Sequence, residues 1–343
     1  MTGSHRIIVE SRKIKYDFVI KRNITILTGD SGSGKTVLID LIRDYRRYGA
    51  DSGVQISCDC ACRTIDDEDW ERQIQEISGS IIFIDEGNRF LPSKRFAELV
   101  QHSDNYFVLA TREKLPMLPY SITEIYGFRK SGKFHEAKQT YNELYHLYGE
   151  FSGQDTISPQ LVITEDSHSG YEFFHALAEQ KQITCITANG KSNIMKTLTD
   201  HIDTPGTRLI IADGAAFGSE MRDVSEYLNT VDNTVLYAPE SFEWLLLSTN
   251  AIPGVNVESI LQQPENYIDS SEYVSWERFF TDLLIKKTQD NPVWQYSKGH
   301  LVKAYLSSRV VNAVKRIMKL IFGINYNLSG SYGAVAKSSI IDD

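Results

Sequence analysis

No apolar run in the chain approaches the roughly 18 residues that a membrane-crossing helix needs. Its opening stretch, MTGSHRIIVESRK, has no apolar core of signal-peptide length. The expectation is a cytoplasmic protein without membrane association. Cysteine is scarce, at four in 343 residues, too few for a disulfide framework. Acidic residues are missing altogether from Asn291 to Ile341. That stretch carries seven basic residues: Lys298, Lys303, Arg309, Lys315, Arg316, Lys319 and Lys337. The whole chain has a net charge of -9, so removing those +7 leaves -16 on the rest. The overall sign argues against a protein coated for nucleic acid, while the asymmetry points to one localised basic surface.

Three of the four cysteines form a cluster, Cys58, Cys60 and Cys62, in CDCAC. Alternate spacing in an extended strand over Val54–Cys62 places all three on one face. The simplest reading is a buried strand face of small residues. A zinc site needs a fourth ligand and usually wider ligand spacing, and no CxxC or HxxxH partner is present.

Two blocks of alternating strand and helix signals follow one another, which predicts an α/β protein with parallel sheets covered on both faces. The first block places strands at Arg6–Val9, Tyr16–Ile20, Ile24–Leu27, Ile81–Ile84 and Tyr106–Ala110. Helices are expected at Lys35–Tyr48, over TIDDEDWERQIQEI, and over KRFAELVQ behind a Ser93 cap. Tyr141, Leu144, Tyr145 and Tyr148 have helical spacing, so a linker helix is expected over 131–157. The second block covers 158–250, with strands in LVITE, ITCITA, RLIIAD and TVLYAP. A helical region over 251–324 and a loose tail over 325–343 complete the expected organisation, with the first domain at 1–130.

The most specific signal is GDSGSGKT, Gly29–Thr36, between an apolar strand and an amphipathic helix. It fits the Walker A pattern. Gly29, Asp30, Ser31, Gly32, Ser33 and Gly34 supply a loop whose backbone N–H groups turn towards phosphate oxygens. Lys35 is positioned to reach the β and γ phosphates, and Thr36 to ligate magnesium. Behind it, SIIFIDEGNRF ends a strand on Asp85 and Glu86. An acid there holds magnesium, and an adjacent Glu polarises the attacking water. NYFVLATRE ends a third strand on Thr111 and Arg112, where a cation senses a γ-phosphate. No NKxD-type guanine-reading motif is present, so ATP with Mg2+ is the expected ligand pair.

In the second block, LVITEDSHSGYEFF ends a strand on Glu165 and Asp166, and RLIIADGAAFGSEM ends another on Asp213, with Glu220 further on. Residues at the carboxyl ends of parallel strands share one crevice. Glu165 and Asp213, with Glu220, are therefore candidate ligands of a second magnesium ion. From Lys298 to Phe322 an apolar stripe and separate basic positions read as a helix. Either it docks on the acidic remainder of the chain or it contacts phosphate backbones of DNA or RNA.

The first block, over about residues 5–125, resembles the additional-strand, catalytic-glutamate division of P-loop ATPases, on the residues Gly29–Thr36, Asp85 and Glu86. The resemblance implies that Tyr106–Ala110 lies between the P-loop strand and the Asp85 strand, and that the site hydrolyses ATP. Many ATPases of that division complete their site across a subunit boundary, which implies a homo-oligomer. The order Glu165, Gly190–Lys191 turn, Asp213 resembles a Toprim domain over about residues 158–248. It is most similar to those fused to ATPases in overcoming-lysogenization-defect nucleases and related anti-phage proteins. That resemblance implies a magnesium-dependent nuclease gated by the ATPase. The family motif is usually Asp-x-Asp, however, and here reads Asp213-Gly214-Ala215. Asp166, Glu220, Glu240 or Glu243 would have to replace the missing acid. Otherwise the domain serves as a sensor or docks a protein partner, and the chain is a nucleotide-switched interaction protein.

Overall fold

A computed structural model describes residues 1–30, 32–66, 68–130, 140–148 and 156–320. Ser31 and the tail over 325–343 lie outside the described residues. The fold is mixed α/β in two compact units. One unit holds Met1–Tyr148 together with Gln262–Ser275, so part of the expected C-terminal region belongs to the first unit. The other holds the described residues of 156–261 and 276–320.

The first unit is built on one sheet. Its strands are β1 (His5–Glu10), β2 (Ile14–Ile20), β3 (Ile24–Leu27), β4 (Gln55–Ser57), β5 (Ala61–Thr64), β6 (Ser80–Ile84), β7 (Tyr106–Ala110), β8 (Ile125–Lys130) and β9 (Thr140–His146). Their order across the sheet is β4-β1-β2-β9-β8-β3-β7-β6-β5. The strands from β8 to β5 run parallel, and every residue of β3, β6 and β7 is buried. Such strands read as unbroken apolar runs because both faces are covered. The β1–β2 hairpin instead alternates inward and outward residues, as a strand with one solvated face does. Helices α1 (Lys35–Tyr48), α2 (Trp70–Glu76) and α3 (Lys94–Gln101) accompany the sheet. Leu38, Ile39 and Ile42 turn the apolar side of α1 into a core shared with Ile7, Tyr16 and Phe83.

Strands β4 and β5 are the two ends of this nine-stranded order, yet only Cys58, Asp59 and Cys60 separate them. Four peptide steps reach at most about 14 Å. The sheet therefore curls until its first and last strands meet. The single strand expected over Val54–Cys62 is two strands at opposite edges, and its cysteines lie at the junction.

Two other expectations are corrected. The residues expected as a linker helix form β9 where they are described, paired with β8 on one side and β2 on the other. Period two replaces period 3.6: Asn142 and Leu144 face the core, and Tyr145 lies across the sheet on Gly127, where a Cβ would come within 2.7 Å of its ring. Thr and Tyr favour that pleated setting, and the two-sided pairing decides between the patterns. Helix α2 starts only at Trp70, because Thr64 is still paired with Phe83 in the sheet.

The second unit has four strands, β10 (Leu161–Thr164), β11 (Thr184–Thr187), β12 (Arg208–Ile211) and β13 (Thr234–Tyr237), all parallel in the order β11-β10-β12-β13. Helices α4 (Ser169–Glu179), α5 (Ile194–Asp200) and α6 (Met221–Thr230) link successive strands. They are followed by α7 (Phe242–Ser248), α8 (Glu258–Gln262), α9 (Trp276–Thr288) and α10 (Ser308–Ile317). The chain leaves β10 towards one edge and returns on the other side as β12. Adjacent loops diverge at that reversal and open a crevice at the carboxyl ends of β10 and β12.

The helix expected from Lys298 is shortened to α10. Residues Lys303–Leu306 form a tight 3-10 turn instead, pinned by the buried Tyr305, whose hydroxyl donates to the Trp294 carbonyl at 2.8 Å.

Phe83 has no exposed surface and stands in the middle of the curled core. Phe83→Ala is expected to cost about 3–5 kcal/mol, read as a lower denaturation midpoint by tryptophan fluorescence. A cost under about 1 kcal/mol would show that the core is loosely packed there.

Candidate functional site

The register of the first sheet sets three strand ends side by side. Leu27 pairs with Ala110, and Leu109 with Ile84. The residues just beyond them are the Gly29 loop, Asp85–Glu86 and Thr111–Arg112. The loop turns through Gly29, Gly32 and Gly34, whose φ angles are 128°, 83° and 104°. At Gly34 space also excludes a side chain, since a Cβ would lie 3.0 Å from the Tyr16 hydroxyl and 3.1 Å from the Asn142 amide. Helix α1 begins directly after Gly34 with no side-chain cap, which leaves its first N–H groups directed at the loop.

Lys35 is buried inside this turn. Its ammonium donates to the carbonyls of Gly29 at 2.7 Å and Asp30 at 3.1 Å, and to the Ser33 hydroxyl at 3.1 Å. Burial lowers its pKa, while Glu86, Asp30 and Asp85 pull the other way. The Thr36 hydroxyl is 3.4 Å from Asp85 Oδ1, and the same oxygen accepts the Glu86 N–H at 2.9 Å. Arg112 grips Glu86 with two bonds, Nη2 to Oε1 at 2.9 Å and Nε to Oε2 at 3.2 Å. The guanidinium beside Glu86 holds that carboxyl below its ordinary range. Lys35, Thr36, Asp85, Glu86 and Arg112 thus meet at one place. The Thr111 hydroxyl is used locally, accepting the Glu113 N–H at 3.0 Å.

Two residues of this site are invisible to motif reading. Tyr16, from β2, donates its hydroxyl to the Gly34 carbonyl at 2.8 Å, and Asn142, from β9, contacts both. The only trace in the sequence is a polar tip on an inward-facing strand position.

In the second unit, Glu165 and Asp213 come together across the β10–β12 crevice. Glu165 Oε2 accepts the Asp213 N–H at 3.0 Å, and Asp213 Oδ1 accepts the Phe242 N–H at 3.0 Å, at the start of α7. Phe174, Phe242 and Leu245 give the crevice an apolar wall beside the two acids. Burial pushes the Glu165 carboxyl up to about 7 and Asp213 well above its ordinary value. Asp166 lines the same crevice, with one oxygen engaged, since its Oδ1 accepts the Tyr171 N–H at 3.0 Å in the first turn of α4. Glu220 accepts from the Ser219 hydroxyl, and its carboxylate does not gather with Glu165 and Asp213 within 4.8 Å. The expected three-ligand set is therefore not assembled among the described residues.

Further groups crowd the same crevice. Glu243 is buried on α7 with Oε1 accepting the Tyr296 hydroxyl at 2.7 Å, while Oε2 has no hydrogen-bond partner among the described residues. The Lys298 ammonium donates to Glu277 at 2.6 Å. Although burial opposes it, Glu277 and Glu243 hold Lys298 charged. Lys298 thus serves this acidic cluster and not a basic helix. The Lys191 ammonium donates to the Ala216 carbonyl at 2.8 Å. On α10, Val310, Val311 and Val314 are buried, and Arg309 donates to the Asn250 carbonyl at 3.2 Å.

The chain matches no protein-family model and no curated protein. The two sites therefore stand on their geometry alone.

Glu165 generates a pH dependence with a defined sign. Its folded pKa of about 7 lies above the unfolded value of 4.5. Between those limits the folded chain holds a proton that the unfolded chain has lost, so stability falls as pH rises through that window. The full separation amounts to about 3 kcal/mol. Glu165→Gln should flatten the slope and raise the melting temperature at pH 8 relative to wild type. An unchanged slope would mean that this carboxyl is ionised in the folded protein.

Proposed function

We propose that the chain is a magnesium-dependent ATPase whose P-loop unit gates a Toprim-like effector unit. The observation that carries the reading is the convergence of Lys35, Thr36, Asp85, Glu86 and Arg112 at the ends of β3, β6 and β7. The position of β7 between β3 and β6 supports the catalytic-glutamate division in particular. Lys35 now fills the loop by donating to its carbonyls, and triphosphate oxygens would take over those bonds. Thr36 and Asp85 offer the hard oxygen donors that suit Mg2+, which would neutralise charge on the β and γ phosphates. Glu86 would orient the attacking water and accept its proton. Arg112 holds that carboxylate now, so hydrolysis requires the pair to open or to swing together towards the γ-phosphate.

For the second unit, the crevice at the β10–β12 reversal supports Mg2+-dependent cleavage of DNA or RNA through Glu165 and Asp213, in the setting of anti-phage defence. A divalent cation would stabilise the ionised forms that burial now disfavours. The separation of Glu220 from Glu165 and Asp213 favours a second reading, in which this unit binds a protein partner and cuts nothing.

Lys35→Ala is expected to abolish ATP binding. Glu86→Gln should retain binding and lower turnover by about 10²–10⁴-fold, measured by phosphate release. Normal turnover in Glu86→Gln rejects the assignment. For the effector, Glu165→Ala and Asp213→Ala should each stop cleavage of DNA or RNA supplied with Mg2+ or Mn2+. Absence of cleavage by the wild-type chain rejects the nuclease and leaves the partner-binding reading.

A further inference from the structure

The junction where the curled sheet closes carries a cluster that the nucleotide chemistry does not use. His5 opens β1, and Cys58, Asp59 and Cys60 link β4 to β5. The imidazole Nδ1 of His5 lies 2.9 and 3.0 Å from the two Asp59 oxygens and 3.8 Å from Cys60 Sγ. Cys58 Sγ is 3.7 Å from Cys60 Sγ and 3.5 Å from Asp59 Oδ1. Among the described residues, His5, Asp59 and Cys60 form the one trio of His, Cys, Asp or Glu donors within 4.8 Å of one another.

We propose that His5, Cys58, Asp59 and Cys60 bind one Zn2+-class cation that staples the two edges of the sheet. Tetrahedral zinc, with bonds of about 2.3 Å to sulfur and about 2.0–2.2 Å to nitrogen or oxygen, sets sulfur–sulfur edges near 3.8 Å and sulfur–nitrogen edges near 3.6 Å. The Cys58–Cys60 and Cys60–His5 edges already stand at 3.7 and 3.8 Å, while Cys58, outside the trio of His5, Asp59 and Cys60, would have to swing towards the imidazole to complete the set. Thiolates with an imidazole and a carboxylate select zinc over magnesium or calcium. His5 supplies the ligand that the CDCAC motif lacks in sequence, 53 positions before Cys58, brought in by the β1–β4 pairing of Ile8 with Ser57. The Asp59 side chain is 63% exposed, which gives the ion a path from solvent.

On binding, the protons still held by the Cys58 and Cys60 thiols pass to solvent, and the imidazole keeps its proton on Nε2. That nitrogen is buried with no partner among the described residues, beside the edge-on ring of Tyr106 at 5.2 Å. Tyr106 belongs to β7, so the ion would also brace β1 against the half of the sheet that carries the nucleotide loop.

The test uses the full chain, reduced, stripped of metal and titrated with Co2+ alone. One equivalent per chain should produce thiolate-to-cobalt charge-transfer absorption, which Zn2+ then abolishes. Cys58→Ser, Cys60→Ser and His5→Ala should each weaken binding at least about tenfold, while Cys185→Ser binds as wild type does. Absence of the absorption in wild type, or its retention at full affinity in Cys60→Ser, overturns the proposal. So does oxidation of Cys58 and Cys60 to a disulfide in the protein as isolated, read as two missing thiols. Should the variants not fold, wild type decides alone: a chelator must lower the melting temperature and Zn2+ must restore it, and no shift overturns the site.

Discussion

Strand β3 is hydrogen-bonded in parallel to β7 on one side and β8 on the other, and the first unit depends on that double pairing. The bonds continue one residue beyond the strand, from Thr111 N–H to the Leu27 carbonyl and from Thr28 N–H to the Tyr126 carbonyl. The loop that follows therefore leaves the sheet from a fixed point. Its glycines can then turn backbone N–H groups inwards without moving the exit. Because β6 pairs with β7 in the same direction, Asp85 and Glu86 emerge beside it. The backbone pairing thus fixes where five charged or polar side chains meet, although none of them contributes to it.

The two sites treat charge in opposite ways. In the first, Glu86 is paired with Arg112, which favours its ionised form. In the second, no ion pair to Glu165 or Asp213 forms among the described residues, and burial outweighs the pull of Lys191 on Glu165 and of Lys298 on Asp213, pressing both towards the neutral form. Lys298 is spent on Glu277. A crevice of that kind costs stability near neutral pH, a cost that a bound cation would offset.

What could be read in the sequence follows the range of each signal. The Gly29–Thr36 loop is local, since glycines, lysine and helix start sit within eight residues, and α1 does begin at Lys35, directly behind Gly34. The strand-end acids were legible for the same reason, because an apolar run ending on Asp or Glu is a local pattern. Tyr16 and Asn142 were not, because their contact with Gly34 spans strands whose adjacency no local pattern encodes. The β9 strand was misread because Tyr141, Leu144, Tyr145 and Tyr148 satisfy a helical period, and pairing on both sides overrides it. Lys298 looked like part of a basic face until Glu277 came within 2.6 Å.

The curl of the first sheet carries that logic one step further. An open sheet of nine strands would expose two edges of unpaired backbone, which invite association with other chains. The chain joins those two end strands, β4 and β5, by a junction only three residues long. Such a junction cannot complete a ladder of hydrogen bonds between its flanking strands, so side chains must hold it. Cys58, Asp59 and Cys60 are short, carry donor atoms close to the backbone, and face an imidazole fixed by β1. A purely structural edge has no need of two thiols, a carboxylate and a histidine within reach of one another.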